Sequence, residues 1–234
     1  MGRVIMSGIV PTLKAPVTYH ANFADNTWAQ IIDACHKNKV PATWAVGNQK
    51  TMTINGTAYV IDIIGKNHDD YADGSGKAPL TFQLHDCYGE TKNMNSSNTN
   101  SGGWTSCAMR STHLLAILAL MPTEVQNGIR EVNKMTSAGS QSATINTTAD
   151  KLFLLSEIEI FGSVTYSMSG EGTQYDYYKA GNSKVKKYSG GKYDWWGRSP
   201  HGSNSTGFCA VRSNGYASYG NARSAIGVPF AFCF

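Results

Sequence analysis

Apolar positions in this chain change their spacing several times, and each change predicts an element. In "DNTWAQIIDACHKN" the residues Trp28, Ile31, Ile32 and Cys35 fall on one side of a 3.6-residue period, which predicts a short amphipathic helix. Asp25 or Asn26 is the expected cap, and Pro41 stands beyond its end. The stretch "TWAVGNQKTMTINGTAYVIDIIGKNHDD" then reads as strands, with Asn55-Gly56 as the turn of a hairpin between "KTMTI" and "TAYVIDII". "STHLLAILALMPTEVQNGIREVNKM" predicts two helical pieces, because Pro122 suits a first helical turn and not an interior. Residues 93–103 and 136–149 are small and polar and predict surface loops. "KLFLLSEIEIFG" joins an apolar strand to a short helix that starts at a Ser156/Glu159 capping box and stops at Gly162. Near the C-terminus, "GFCAVRSNGYASY" alternates, with Cys209 and Val211 on one face, Phe208, Ala210 and Arg212 on the other, and Asn214-Gly215 at the turn. The expected class is α+β: short antiparallel strands, two or three helices and long loops.

Composition narrows the function classes. The 234 residues are 41% hydrophobic and 11% aromatic, enough to bury a sizeable core. Only 15% are charged, the formal net charge is +4, and no basic block exceeds "KVKKY", so no nucleic-acid partner is expected. The longest apolar run, "LLAILALM", falls far short of the roughly 18 residues of a membrane span. The first thirty residues lack the zones of a signal peptide, and the expectation is a chain made in the cytoplasm without membrane insertion. Cys35, Cys87, Cys107, Cys209 and Cys233 are odd in number, widely spaced and without a CxxC, which points to buried thiols and not to a zinc or disulfide framework.

Chemical constellations are few. His68, Asp69, Asp70 and Asp73 in "NHDDYADGSG", with His85-Asp86 on the next strand, offer metal ligands, but the spacing of a calcium loop is missing. A solvated, turn-forming Asp cluster is the expectation, with no metal and no cofactor. Cys107 and His113 lie six apart with no orienting third group in sight, and Glu157 and Glu159 point to different faces of a short helix. "DGSGKAP" lacks the spacing of a phosphate loop.

Taken in order, "KLFLLSEIEIFG", "EGTQYDYY", "WWGRSP", "FCAVRSNG" and "GVPFAFCF" resemble phage and prophage tail proteins whose C-terminal portion has a C-type-lectin-like fold. That fold is distantly similar to formylglycine-generating enzymes and to variable proteins diversified by retroelements. "VGNQKTMTINGTAYVIDIIGKNHD", "APLTFQLHD" and "NSSNTNSGGW" extend the resemblance over most of residues 25–234. It implies an N-terminal strand or attachment segment over 1–24 and a C-type-lectin-like ligand-binding domain over 25–234. It also implies a receptor-binding tail-fibre or tail-tip protein, located in the virion tail, or in the bacterial cytoplasm when expressed from a prophage. The implied partners are a host cell-surface protein or glycan and other tail proteins, and the implied assembly is a homo-oligomer, expected to be a trimer.

Two features of the C-terminus bear on this. Residues 198–227 hold six Ser, five Gly, three Asn, two Tyr and three Arg and lack Asp, Glu and Lys, the composition of a paratope. From Gly197 to Phe234 there is no Lys, Glu, Gln, Met or Trp, although residues 1–196 contain 14, 6, 6, 8 and 5 of them. Those five are the residues unreachable when the first two adenines of an Asn codon are randomised, the substitution style of retroelement-diversified relatives. The expected ligand-binding residues are His201, Ala210, Arg212, Tyr216, Ser218, Tyr219, Asn221 and Arg223, held by core anchors at Trp195, Trp196 and "VPFAFCF". No catalysis is expected. Two rival classes stay open: a structural tail-assembly or decoration subunit, and an oxidase of the formylglycine-generating type, whose chemistry uses a C-terminal cysteine pair with copper. Cys209 and Cys233 are both C-terminal, but their apolar strand contexts turn them toward packed faces, away from such chemistry.

Overall fold

A computed structural model describes residues 17–234. The first helix, α1 (Trp28–His36), is capped by Thr27 and not by Asp25 or Asn26. Thr27 Oγ1 accepts from Gln30 N–H at 3.1 Å and Gln30 Oε1 accepts from Thr27 N–H at 2.8 Å, a closed capping box. Asn26 is buried instead, exchanging hydrogen bonds with the His20 backbone. Strands β1 (Gln49–Ile54) and β2 (Thr57–Lys66) form the hairpin expected from Asn55-Gly56, whose φ values of 47° and 78° match a type I′ turn. β3 (Leu80–Leu84) follows. After α2 (Gly103–Ser106), a wide π turn over Met109–His113 leads into α3 (Leu114–Leu120), and Pro122 opens α4 (Thr123–Gly128), the division expected at that proline.

The second helical piece stops sooner than its spacing predicts. At Gly128 an added Cβ would come within 2.6 Å of Ile32 Cδ1, so α1 and α4 touch there. The chain then runs as β4 (Val132–Ser137), where Val132, Lys134 and Thr136 alternate inward. The expected loop over 136–149 contains most of β5 (Ile145–Asp150), which pairs with β4 from Val132↔Asp150 to Ser137↔Ile145. Its β-branched residues favour the strand. β6 (Leu152–Phe153) and α5 (Glu157–Phe161) keep the expected order, with Ser156 and Glu159 closing the capping box and Gly162 left-handed at φ 73°. α6 (Asp176–Lys179), β7 (Lys186–Tyr188), β8 (Gly191–Tyr193), β9 (Trp195–Pro200), β10 (Gly207–Val211), β11 (Ala217–Asn221) and β12 (Ala231–Cys233) complete the chain.

The architecture is mixed α and β, with mostly antiparallel strands in small sheets and few helices. A five-stranded sheet has the order β1-β2-β3-β12-β6, a three-stranded sheet the order β11-β10-β9, and β4–β5 and β7–β8 are two-stranded. The C-terminal strand β12 therefore fills a central slot, and its Phe232 stacks on Phe82 of β3 at 5.3 Å. Phe23, Trp28 and Phe234 close around Phe82 at 6.2, 6.0 and 5.3 Å. Trp195, Trp196 and Phe232 are buried, as their role as anchors requires. Of the expected attachment segment 1–24, residues 1–16 lie outside the described residues. Of the rest, Tyr19 and Phe23 reach the core, packing on Trp44 at 6.2 and 5.4 Å, Trp44 Nε1 donates to His20 O at 2.9 Å, and the other side chains are exposed. Position 24 marks no break in packing.

Candidate functional site

The hairpin of β10 and β11 forms where alternation places it, with Val211 opposite Ala217 and the turn closed by Arg212 N–H donating to Tyr216 O at 2.9 Å. Its faces differ from the sequence expectation. β10 is the central strand of its sheet and is buried throughout, so Ala210 is covered and displays nothing. Ser218 is also buried, accepting from Arg212 Nε at 2.9 Å, and Gly220 lies against the Trp196 indole. The outward positions of β11 are Tyr219 and Asn221, and Tyr219 lies opposite Cys209, the residue expected to mark the packed face. His201 is buried too, but it has a use there. Tyr219 stands edge-on to its ring at 4.4 Å, and Tyr166 completes the cluster at 5.2 Å from Tyr219. Tyr216 is 72% exposed and Tyr219 47%, and Arg212, Asn221 and Arg223 are exposed beside them. Five of the eight expected residues thus reach solvent, while His201, Ala210 and Ser218 lie beneath.

What holds this surface is polar and buried. Arg198 on β9 is fully buried, and its Nη2 donates to Met135 O, Glu171 O and Glu159 Oε1, each at 3.0 Å. Nη1 donates to Leu154 O at 3.0 Å and to Glu159 Oε2, and Nε to Thr136 Oγ1 at 3.1 Å. Asn100, in a stretch expected to be a surface loop, is fully buried and clips the connection between β9 and β10: Nδ2 donates to Asn204 O at 2.9 Å and Gly207 O at 2.8 Å. Glu157 accepts the backbone N–H groups of Thr165, Tyr166 and Ser167 at 3.1, 2.9 and 2.8 Å, which fixes the segment carrying Tyr166.

Arg198 belongs to a longer ionic chain. Lys134, buried on β4, donates to Asp69 Oδ1 at 2.6 Å and Tyr175 OH at 3.1 Å and pairs with Glu159 Oε1 at 2.8 Å. Asp69 is therefore no solvated turn residue, whereas Asp70 and Asp73 are exposed and meet Lys77 and Arg130. Burial opposes the Asp69 charge, but Lys134 overcomes it and holds the carboxyl below its ordinary value. His68 stacks on Tyr175 at 3.9 Å, and His68, Asp69 and Glu159 offer ligand atoms within 4.8 Å of one another. That trio suits a cation poorly, because Lys134 and Arg198 already neutralise its two carboxylates.

Glu171 sits differently. Its Oε1 accepts from Ser137 N–H at 2.8 Å, but Oε2 is buried without a hydrogen-bond partner. Burial pushes its carboxyl up to about 7, against the pull of the Ser137 N–H and Arg198. Between the ordinary 4.5 and about 7 the folded chain holds a proton that the unfolded chain has released, so this group's contribution to stability falls as pH rises through that window. Asp69 acts in the opposite sense only below its ordinary value of 3.8. Urea unfolding at about pH 5 and about pH 8 is expected to show wild type losing stability relative to Glu171→Gln at the higher pH. A difference between the two proteins that is the same at both pH values would exclude a proton on Glu171.

The remaining sequence candidates do not assemble. All five cysteines are buried and free. Burial drives the Cys209 and Cys233 thiols well above their ordinary value, and they lie in different sheets. Cys107 Sγ faces Trp104 O, while His113 Nε2 meets Asn93 Oδ1. Sequence reasoning missed Asn100, Lys134 and Arg198. The available signals were a lysine at an inward position of the alternating "VNKMTS" and an arginine inside the otherwise uncharged "WWGRSP".

No helix among the described residues is long and apolar enough to cross a membrane. No curated protein and no solved structure matches the chain. The family model of DUF6273, a domain of unknown function, matches residues 72–234, which take in Asp69's partners, the buried arginine and the whole exposed hairpin. With more than half of its length matched, the chain belongs to the DUF6273 family.

Proposed function

We propose that this chain is a ligand-binding module without catalysis, built on a C-type-lectin-like scaffold and carried on a phage or prophage tail to recognise a host-surface protein or glycan. The observation that carries the reading is the surface of Arg212, Tyr216, Tyr219, Asn221 and Arg223, exposed on and just after a hairpin whose first strand is tied at Gly207 by the buried Asn100. Tyrosine and arginine dominate binding hot spots, and a surface ordered during folding avoids much of the entropy cost of binding, about 0.5–1.5 kcal/mol for each rotamer-rich side chain. The resemblance to tail proteins supplies the biological setting. A trimeric assembly would add avidity to a weak single site.

The test is adsorption to host cells of wild type and of a variant combining Arg212→Ala, Tyr216→Ala, Tyr219→Ala and Arg223→Ala, each as monomer and as assembled protein. The variant is expected to fold and to lose at least about tenfold in adsorption, the equivalent of one hot spot. A folded variant that adsorbs like wild type in both formats would place the receptor surface elsewhere.

A further inference from the structure

Away from the hairpin of β10 and β11, a cleft of about 370 Å³ opens between β2, the chain after β3, and the β7–β8 hairpin. Tyr59, Val60, His85, Asp86, Lys187 and Tyr188 line it. Its polar groups arrive already oriented. Asp62 on β2 is buried and accepts from Gln49 Nε2 at 2.8 Å through Oδ1, while Oδ2 lies 2.9 Å from His85 Nδ1. Gln49 Nε2 also lies 3.1 Å from Nδ1, and the hydrogen bond to Asp62 raises the imidazole above its ordinary pKa, so Nε2 faces outward as an acceptor on the neutral ring and as a donor on the protonated one. The His85 side chain is 43% exposed. Beneath it, the Lys186 ammonium donates to Leu84 O and His85 O at 2.6 and 2.9 Å and fixes the backbone that carries the imidazole. Asp86 uses Oδ1 to accept from Lys187 N–H at 2.7 Å, and Oδ2 remains. Both tyrosine rings are braced by a neighbour, Tyr59 by Tyr88 at 5.5 Å and Tyr188 by Tyr193 at 5.1 Å.

We propose that this cleft binds a pyranose sugar ring. Two tyrosine rings and Val60 provide surface for the C–H face of a sugar, and the polar groups are mixed in kind: an acceptor at Asp86 Oδ2, a donor at the Lys187 ammonium, and His85 Nε2, which takes either role with the protonation of its ring. Hydroxyls donate and accept, so a ring carrying several of them satisfies both kinds at once. A phosphate would face the Asp86 carboxylate, and a wholly apolar ligand would bury these charges unpaired. The proposal stands apart from the reading of the β10–β11 hairpin and shares no residue with it.

The experiment titrates the ¹⁵N-labelled chain with the methyl pyranosides of glucose, galactose, mannose and N-acetylglucosamine. At least one is expected to bind with a Kd on the order of 1 mM, typical of a single small ligand with few contacts, and to shift the amides of Tyr59, Asp86 and Tyr188 while leaving those of Tyr216 and Tyr219 in place. Tyr188→Ala and His85→Ala are each expected to weaken that binding about tenfold. His85→Ala uncovers the buried Asp62, so if it does not fold, Tyr188→Ala, in a short surface hairpin, carries the test with its melting curve as control. Unshifted cleft amides with all four sugars, shifts confined to the β10–β11 hairpin, or unchanged affinity in folded Tyr188→Ala would each overturn the proposal.

Discussion

Replacing Arg198 with Met is expected to lower the unfolding free energy by about 3–5 kcal/mol, the range for removing one partner of a buried ion pair. The guanidinium is the junction of five segments: it reaches β4 through Met135 and Thr136, the end of β6 through Leu154, α5 through Glu159 and the following loop through Glu171, all from β9. Without it, Glu159 keeps only Lys134 as a cation, and three carbonyls lose a donor, those of Leu154 and Glu171 in buried surroundings. Most of the loss comes from what is stranded and not from the worth of the pair itself. The double variant Arg198→Met/Glu159→Gln is therefore expected to recover part of the loss. Equilibrium urea curves for the two single variants and the double supply the coupling energy. A loss under about 1 kcal/mol in Arg198→Met would show that water or rearrangement replaces the arginine.

Trp195→Ala is expected to cost a similar amount, about 3–5 kcal/mol, for a different reason. Its indole is fully buried, so truncation leaves a cavity and takes the Nε1 hydrogen bond to Lys184 O, 2.9 Å, with it. Phe232→Ala removes the ring stacked on Phe82 at the centre of the large sheet and falls in the same range. Tyr216→Ala, at an exposed turn, is expected to stay within about 0.5 kcal/mol. Denaturant melts of the three variants decide the matter, and losses of equal size would refute the division between anchors and displayed residues.

Local rules carried the sequence analysis wherever the structure is local. Asn55-Gly56 set a hairpin with φ positive at both residues, Ser156, Glu159 and Gly162 began and ended a helix, and the alternation around Asn214-Gly215 placed β10 and β11. It failed where one pattern served two structures. "EVNKM" fits a helical face as well as a strand, and only its pairing with β5 decides for the strand. Alternation assigned faces to β10 wrongly because it discriminates only when one face is wet, and a central strand in a small, covered sheet has none. The ionic chain joins residues 69, 134, 159 and 198, contributed by separate elements, so no window of sequence contains it. Asn100 was hidden for the same reason: its partners are about a hundred residues away, and its neighbours have the composition of a loop.

Main-chain atoms take many of the bonds made by the buried polar groups near the hairpin, beside the Glu159 and Thr136 side chains that Arg198 also meets. Asn100 donates to carbonyls, Glu157 accepts amides, and Arg198 spends most of its donors on carbonyls. Every residue type but proline supplies those same atoms, so these particular bonds do not depend on which side chain the held residue carries. None of these bonds ends on Tyr216, Asn221 or Arg223, whose exposed side chains can therefore drift across a broad, nearly neutral network of alternatives while the clamp stays in place. Evolvability here is a property of where hydrogen bonds end.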